Sequence, residues 1–283
     1  MKLAWITGAN GLIGNYLVQT APRFSPPWRV RALTRANFDL LDFAAVRREF
    51  QKDQPRLVIH CAAITSVDDA QKNPALARRV NVETTRLLAD LAGGIQFVFF
   101  STDLVFNGHR GDYTETDAVN PLHIYGETKI AGEAIVLANP RHLVVRTSIN
   151  GGESPAGTRG FNEQLRRALQ RAGPGITLFT DEIRSPLPAV ETARAVWELS
   201  GKNQAGIFHV AGAEKLSRWQ IGALLVKRWP EITAPIQAGS ARDFAGLPRA
   251  LNTTLNIGKV QKVLSAPLPG LSDWLAAHPV ENF

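Results

Sequence analysis

The chain has 283 residues, of which 45% are hydrophobic and 20% are charged, a composition that excludes a disordered chain. Its 32 basic and 25 acidic residues give a formal net charge of +7, but the basic residues are scattered, which argues against nucleic acid as a partner. No apolar run approaches the ~20 residues that span a bilayer, so no membrane partner is expected. The single cysteine excludes an internal disulfide, and a cytoplasmic location is the expectation.

The first half of the sequence alternates short apolar runs, typical of buried strands, with longer segments of helical periodicity. The apolar runs predict strands over residues 3–7, 28–34, 57–61, 97–100 and 143–145. Helices are predicted over residues 12–21, ending at Pro22, and over 43–52, 74–91 and 124–137. Because strand and helix alternate, we expect an α/β fold with a doubly wound parallel sheet, the Rossmann arrangement, over residues 1–150.

Beyond residue 150 this alternation loosens. Helices are predicted over residues 161–172 and 190–199, a strand over 207–210, and a further helix from the N-cap Ser217 to Arg228. Residues 151–283 are therefore expected to form mostly a smaller α/β lobe that binds substrate. A segment from about 187–212 is expected to return to the first domain.

A glycine-rich loop follows the first predicted strand directly and leads into the first predicted helix. In this setting the spacing of Gly8, Gly11 and Gly14 is typical of dinucleotide binding, because a pyrophosphate can approach the loop backbone and the helix N-terminus. The alternative is a glycine-rich turn that holds no ligand. For a dinucleotide, the expected contacts from the loop are Gly8, Asn10, Gly11, Leu12, Ile13 and Gly14.

The end of the second predicted strand bears on the choice between NAD and NADP. An acidic residue about 20 residues after the glycines would bind the ribose hydroxyls of NAD, but this chain has none there. It has Arg35, which could pair with the 2′-phosphate of NADP or simply be solvated. NADP is therefore the expected cofactor and NAD stays possible, with Asp39 and Leu40 bordering the adenine.

Tyr125 and Lys129 lie four residues apart on a predicted helix and therefore share one face. A free phenol has a pKa of about 10, and a nearby ammonium would lower that pKa, so Tyr125 could exchange a proton with a substrate carbonyl. Thr102, which follows the strand 97–100, could hydrogen-bond the same carbonyl, with Ser101 the near alternative. Asp103 either binds substrate or caps the loop. The competing interpretation is a surface helix pair and a strand end that caps its own backbone.

These passages together resemble the extended short-chain dehydrogenase/reductases, and more narrowly the dTDP-4-dehydrorhamnose reductase family. The resemblance rests on the glycine loop and on residues 62–68, 101–106, 125–133 and 146–148. It implies reduction of a nucleotide-linked 4-keto sugar with hydride from the nicotinamide of NAD(P)H. A nucleotide-sugar-like small molecule is the expected partner, a homodimer is possible, and no metal site is predicted.

The resemblance also implies roles for individual residues. Thr102, Tyr125 and Lys129 are expected to be catalytic, with Tyr125 as the proton donor. Asn81 matches a helix asparagine that supports the site, although a plain polar helix residue is an equal alternative. The implied cofactor contacts outside the two loops named above are Cys61, Ala62, Ala63, Thr65, Ser101, Tyr125 and Lys129. The implied substrate contacts are Thr65, Val67, Thr102, Asp103, Asn150 and Arg184.

Three passages on the substrate side depart from the family pattern. Ser148 is followed by Ile149 where tryptophan is usual, and Leu247 precedes Pro248 where arginine is usual. In place of Asp-Gln-x-Gly-x-Pro-Thr, the chain has Asp-Glu-Ile-Arg-Ser-Pro-Leu over residues 181–187. The arginine of this passage, Arg184, either grips a diphosphate or pairs with one of the two acidic residues before it.

Two other functions compete with reduction. The first is that of an epimerase or dehydratase of the same superfamily, and Leu104 counts against the dehydratase because related dehydratases have an acidic residue there. The second is that of a non-catalytic regulatory subunit resembling that of methionine adenosyltransferase. Cys61, which falls in the third apolar run, is predicted to be a buried strand residue rather than a reactive thiol.

Overall fold

A computed structural model describes residues 2–171, 175–281 and 283. Six of the described strands form one parallel sheet in the order β10-β5-β4-β3-β1-β2. In chain order the strands are β1 (Lys2–Thr7), β2 (Trp28–Leu33), β3 (Leu57–His60), β4 (Gln96–Thr102), β5 (Leu143–Thr147), β6 (Asn150–Gly151), β7 (Ile176–Phe179), β8 (Ile183–Arg184), β9 (Leu187–Pro188), β10 (Gly206–Val210), β11 (Leu216–Ser217) and β12 (Ile236–Gly239).

The strand order reverses at β1, because the chain first moves outward to β2 and then crosses to β3 on the other side. Thr7 is paired in register with His60, and Thr102 with Thr147. The carboxyl ends of β1, β3, β4 and β5 therefore meet along one edge of the sheet, which is where ligands bind in open α/β sheets. The predicted doubly wound parallel fold is confirmed, whereas the division into domains at residue 150 stays a prediction.

The helices cover both faces of the sheet. Along β1 the buried residues alternate: Ala4 and Ile6 face the cluster that contains Trp197, while Leu3 and Trp5 face the cluster that contains Phe97. In chain order the α-helices are α1 (Leu12–Phe24), α2 (Phe43–Asp53), α3 (Val67–Lys72), α4 (Pro74–Arg78), α5 (Thr84–Leu91), α6 (Ile124–Leu137), α7 (Phe161–Arg171), α8 (Ala189–Gly201), α9 (Arg218–Val226), α10 (Gly258–Gln261) and α11 (Leu271–Ala277).

Two predicted helices were wrong in detail. Helix α1 does not stop at Pro22 but continues to Phe24, since proline has a φ compatible with a helix and removes only one N–H donor. The single helix predicted over residues 74–91 is divided, because Arg79–Glu83 forms one π-helical turn between α4 and α5. Such wide turns occur often at functional sites, and this one contains the buried Asn81.

A second, smaller core lies after β5. It packs α7, α9 and α11 against the parallel pair β7–β12, with Trp229, Trp274 and Phe283 among its buried members. Ser217 caps α9 as predicted and forms a capping box with Gln220, although α9 ends at Val226. Helix α7 is described to Arg171, and the predicted end at residue 172 lies outside the described residues. Across the described ranges, no helix has the length and apolar character needed to cross a membrane.

Candidate active site

The glycine loop after β1 is in a conformation that requires glycine. Gly8 has a φ of +67°, and a Cβ at this position would lie 2.7 Å from the backbone nitrogen of Ala62. A Cβ on Gly14 would lie 2.4 Å from the carbonyl oxygen of Gly8. Helix α1 begins at Leu12 with Gly11 as its N-cap, and no side chain caps its N–H groups. The loop and the helix start thus form a cradle of free backbone donors that suits a diphosphate.

The loop after β3 closes this cradle. The Thr7 hydroxyl accepts a hydrogen bond from Ala62 N at 3.2 Å, and its oxygen is also 2.7 Å from Nδ1 of His60. Strand β3 ends at His60, so the prediction that Cys61 is a buried strand residue was wrong: it is half-buried and follows the strand. Burial raises the pKa of its thiol, which keeps the sulfur protonated. Among the other residues predicted here, Ala62 and Ala63 are half-buried and Thr65 is exposed.

Asn81 connects this loop to helix α6. Its side-chain oxygen accepts from Ile64 N at 2.8 Å, and its nitrogen donates to Ile64 O at 3.0 Å and to the Thr128 hydroxyl at 2.9 Å. Helix α6 carries Tyr125 and Lys129. The buried amide of Asn81 therefore fixes the distance between this helix and the loop after β3. The interpretation of Asn81 as a supporting residue agrees with these contacts.

Thr102, Tyr125 and Lys129 are all buried, and the side chains of Thr102 and Tyr125 form a hydrogen bond. Burial raises the pKa of Tyr125 to about 12, the Asp103 charge acts in the same direction, and a hydrogen bond with the Thr102 side chain opposes both. Burial lowers the pKa of Lys129 to about 7, although Glu133 acts to raise it. The Lys129 Nζ lies 4.0 Å from the centroid of the Phe99 ring. The phenol is therefore held in its protonated form, and the expectation that a nearby ammonium lowers the pKa of Tyr125 was wrong. Lys129, one turn further along α6, titrates near neutral pH.

The Ser101 hydroxyl, which was predicted to contact the cofactor, is bonded within the protein. It donates to Oε1 of Glu133 at 2.5 Å. Arg146 holds the same carboxylate through Nε at 2.9 Å and Nη2 at 2.7 Å. Because Glu133 lies one turn after Lys129 on α6, this buried pair fixes α6 against β4 and β5.

Asp103 is buried at the centre of a polar cluster. Its Oδ2 accepts from the Ser148 hydroxyl at 2.7 Å and from the Thr253 hydroxyl at 2.9 Å, and its Oδ1 accepts from the Thr102 hydroxyl at 3.2 Å. Arg184 Nε lies 3.6 Å from Oδ2. Its observed contacts join the end of β4 to Ser148, Thr253 and Arg184, while substrate binding and loop capping stay predictions.

Arg184 is also buried, and protein acceptors surround its guanidinium. Nη2 donates to Glu182 at 3.0 Å, and Nη1 donates to the carbonyls of Ile183 and Leu251. Of the two predicted alternatives, pairing with Glu182 is the one observed; Asp181 instead accepts from Ser240 and from Ala241 N. A guanidinium with 3% exposure is not available to grip a diphosphate.

Comparison with known proteins identifies the family. Residues 1–277 match the family model described as RmlD substrate binding domain. The chain belongs to the dTDP-4-dehydrorhamnose reductase family. The dTDP-4-dehydrorhamnose reductase of Mycolicibacterium smegmatis is 34% identical, over 96% of this chain and 82% of that relative. The corresponding Bacillus anthracis structure, in complex with NADP, has a TM-score of 0.87 at 25% identity and covers 98% of both chains.

Another relative of the chain carries a different name. The methionine adenosyltransferase 2 subunit beta of Xenopus laevis is 28% identical, over 93% of this chain and 82% of that relative. A dTDP-glucose 4,6-dehydratase from Streptomyces venezuelae has a TM-score of 0.78 at 21% identity, covering 98% of this chain and 95% of that one. At 21% identity, the similarity to the dehydratase structure concerns the fold alone.

The residues predicted to contact the adenosine part of the cofactor, Arg35, Asp39 and Leu40, follow β2. Arg35 is exposed, and the loop that carries it is braced by Asn37, whose Oδ1 accepts from Thr34 N at 2.7 Å. Asp39 is exposed and accepts from Leu41 N at 3.0 Å. Leu40 is half-buried against the core cluster on the Trp5 side of the sheet. The exposed guanidinium at the end of β2 is therefore free to face an anion.

Two other predicted substrate contacts, Asn150 and Val67, are half-buried. Asn150 donates to the Thr147 hydroxyl at 2.9 Å and to Ser148 O at 3.0 Å, and its oxygen accepts from Thr192 at 2.6 Å. Both N–H groups of this amide and its oxygen are therefore bonded within the protein at the end of β5, and the predicted substrate contact stays a prediction. Val67 is half-buried at the first position of α3.

Sequence reasoning named Glu182 as a possible partner of Arg184 but missed the other contacts around this site. Ser148 and Thr253 both donate to Asp103, and Glu182 pairs with three arginines. Burial acts to raise the pKa of Glu182, but Arg218, Arg184 and Arg249 together lower it. Only the acidic residue beside Arg184 gave a local signal; the others lie far from their partners in the chain.

Proposed function

We propose that this chain is an NADP-dependent reductase that acts on the keto group of a nucleotide-linked sugar, with a 4-keto sugar as the expected substrate. The observation that carries the proposal is the buried set of Thr102, Tyr125 and Lys129 beside a glycine cradle at the switch point of the sheet. Family membership supports it, since several relatives that match nearly the whole chain are named dTDP-4-dehydrorhamnose reductase.

The residues of the chain fit NADP at two points. The cradle of Gly8, Gly11 and Gly14 has room for a diphosphate only because it has no side chains, and the start of α1 offers uncapped N–H groups. Arg35 would pair with the 2′-phosphate. When bound, the nicotinamide supplies the hydride that reduces the carbonyl.

The protein's own contribution is the proton and its position. Tyr125, with a pKa of about 12, carries its proton at neutral pH and would donate it to the oxygen of the reacting carbonyl. Thr102 would hold that oxygen, since its hydroxyl lies beside the phenol. Protonated Lys129 would stabilise the phenolate that the transfer leaves, and its pKa of about 7 means that this charge depends on pH.

A regulatory role is the second candidate, because the chain aligns with methionine adenosyltransferase 2 subunit beta over 93% of its length. The intact Thr102, Tyr125 and Lys129 set favours turnover, but a non-catalytic relative could keep it. An epimerase or dehydratase of the same fold is supported by structural likeness alone.

Consumption of NADPH and NADH by the purified protein tests these alternatives. A panel of nucleotide-linked 4-keto sugars should include dTDP-4-dehydrorhamnose, with each substrate also offered without cofactor. We expect NADPH oxidation with at least one member, and NADH oxidation that is slower. Tight NADPH binding without turnover of any member would contradict the reductase. Association with a methionine adenosyltransferase catalytic subunit in the same preparation would then favour the regulatory role.

A further inference from the structure

The ring of Phe99 lies against the ammonium of Lys129. The Lys129 Nζ is 4.0 Å from the centroid of this ring, well inside the about 6 Å over which an aromatic face attracts a cation. Phe99 has 0% exposure and Lys129 has 3%, so the contact is desolvated. Since a cation–π contact is stronger without water, the ring is a favourable partner for the charged form of this lysine.

Helix α6 has a gap that accommodates the ring. Side chains two residues apart on a strand face the same side, so Phe99 and Ser101 both face α6. A Cβ on Gly132 would lie 2.5 Å from Cζ of Phe99, and Ser101 donates to Glu133, the next residue of the helix. The Phe99 ring therefore fills the space that Gly132 leaves open, within one turn of Lys129.

The ionisable groups around Lys129 provide little other attraction for its charge. Glu133 acts to raise the pKa of the lysine, but Arg146 pairs with the same carboxylate at 2.7 Å, and its positive charge offsets part of this effect. Burial keeps the other ionisable groups on the neighbouring elements neutral at pH 7, namely the thiol of Cys61, the ring of His60 and the phenol of Tyr125. The attraction from the Phe99 ring has no such offset.

The charge of Lys129 matters for the proposed reaction, because a protonated lysine stabilises the phenolate that forms when Tyr125 gives up its proton. Burial lowers the pKa of Lys129 to about 7, so its charged and neutral forms are close in free energy at neutral pH. A further fall of one pH unit would lower the charged fraction at pH 7 about fivefold. A single contact can therefore decide the charge of this side chain.

We propose that Phe99 is a positioning residue for the reduction, whose ring holds the Lys129 ammonium at the site and favours its charged form. This inference rests on the proposed function, because Phe99 acts on the Tyr125 proton only through Lys129. The upper pH limit of the reaction is therefore set in part by an apolar side chain of the core.

The test compares F99L with F97L. Phe97 is also fully buried and belongs to the same core cluster, but its ring packs against the rings of His60 and His142, at 5.9 and 5.7 Å. Both variants exchange a buried ring for a leucine side chain, so we expect similar losses of stability. Only F99L removes the ring that lies against the ammonium.

Nuclear magnetic resonance gives a readout that needs no substrate. The signal of the Lys129 Cε carbon, identified by its loss in K129M, is followed as a function of pH in wild type and in both variants. In F99L the pKa of Lys129 should fall by about one pH unit, which is the size of a desolvated cation–π contact. The displacement of the Lys129 side-chain proton signals by the ring current should also disappear. F97L should titrate with wild type.

The dependence of kcat on pH measures the effect on the reaction. Below the pKa of Lys129 in both proteins the lysine is charged, so F99L should be as active as wild type. As the pH rises, kcat should fall about one pH unit earlier in F99L, which gives a loss of roughly 10-fold above both pKa values. Structural damage would instead lower kcat equally at every pH, and that result would contradict the proposal.

A fluorinated phenylalanine at position 99 covers the case in which F99L fails to fold. Fluorine keeps the shape of the ring but withdraws electron density from its face, so the attraction for a cation weakens. The pKa of Lys129 should fall in this protein too, but less than in F99L, with stability close to that of wild type. An unchanged pKa of Lys129 in the fluorinated protein, or equal falls in F99L and F97L, would overturn the proposal.

The two readouts separate this inference from the proposed function. If the pKa of Lys129 falls in F99L but no nucleotide sugar is turned over, the proposed function has failed and the effect of Phe99 on Lys129 is confirmed. If a keto sugar is reduced while F99L keeps the wild-type pH profile, the proposed function stands and the role of Phe99 is overturned.

Discussion

The side chain of Asn81 makes with Ile64 the pair of hydrogen bonds that a neighbouring strand would make, accepting from its N–H at 2.8 Å and donating to its carbonyl at 3.0 Å. Ile64 lies in the loop that closes over Gly8, and the third bond of the amide reaches Thr128 on α6. The Asn81 side chain therefore bonds the backbone of the loop after β3 as a strand would, and it ties that loop to α6.

Replacing Asn81 with alanine should lower the free energy of unfolding by about 1–3 kcal/mol, because the Ile64 N–H and carbonyl lose their partners. Binding of NADPH should also weaken, since the loop after β3 is no longer held. Urea unfolding and a cofactor titration measure the two effects. E83A, an exposed change on the same π-helical turn, is the matched control and should alter stability by less than about 0.5 kcal/mol.

Replacing Tyr125 with phenylalanine should lower kcat by about 10²- to 10⁴-fold, the range of a lost general acid, while NADPH binding is largely kept. Steady-state kinetics on the accepted substrate and tryptophan quenching by NADPH measure the two properties. Tyr113 is buried to a similar extent, at 6% against 8%, and its hydroxyl bonds Asn107 instead of the site. Y113F should therefore retain activity, and full activity in Y125F would rule out the assigned proton donor.

Replacing Arg35 with alanine should weaken NADPH binding about 10- to 100-fold and leave NADH binding nearly unchanged. The reason is the loss of charge-assisted hydrogen bonds, worth about 1.5–3 kcal/mol, to a phosphate that NADH lacks. Calorimetric titration of both dinucleotides measures this. Arg29 is exposed near the start of β2, whereas Arg35 follows its carboxyl end, so R29A is the control. Equal losses for the two dinucleotides would contradict an Arg35–phosphate contact.

Lys129 should destabilise the fold below neutral pH. Burial lowers its pKa from 10.5 to about 7, so between these values the unfolded chain binds more protons and stability rises with pH. We expect K129M to be more stable than wild type by about 3 kcal/mol or more at pH 6–7, with the difference shrinking toward pH 10. Urea unfolding of both proteins at several pH values measures it. An advantage for K129M that does not change with pH would show that burial does not lower the pKa of this lysine.

His60 should make the protein sensitive to acid. Burial lowers its pKa to about 3, and Nε2 has no partner among the described residues, so the folded protein keeps the ring neutral. Between pH 6.5 and 3 the unfolded chain binds the extra proton, and each pH unit costs up to about 1.4 kcal/mol of stability. H60Q should unfold at a lower pH than wild type in a circular-dichroism titration. H109Q, an exposed control, should unfold with wild type.

The parts of the site that could be predicted from the sequence are those encoded within a few residues. Gly8 and Gly14 follow a strand directly, and Tyr125 and Lys129 share a helix face through their spacing alone. The Asp103 cluster could not be found in this way. Its partners Ser148 and Thr253 lie 45 and 150 residues further along the chain, and only the packing of the two lobes brings them together.

The fold shows the same division between local and tertiary signals. The six strands of the main sheet have apolar runs that can be read directly, but two-residue strands such as β8 and β11 are too short for any periodicity. The π-helical turn Arg79–Glu83 interrupts a sequence with ordinary helix-forming residues. Asn81 lies in that turn, and the oxygen and nitrogen of its amide bond residues that are distant in the chain. No nearby residue therefore predicts the π-helical turn.

The position of β10 has a consequence for synthesis of the chain. Strand β5 is paired on one side with β4 and on the other with β10, which begins 59 residues after the last residue of β5. Every residue of β5 is buried in the finished protein. Until residue 210 has left the ribosome, this apolar strand is an open sheet edge, which is a template for aggregation. A fragment cut at residue 150 would keep that edge permanently, so we expect it to aggregate.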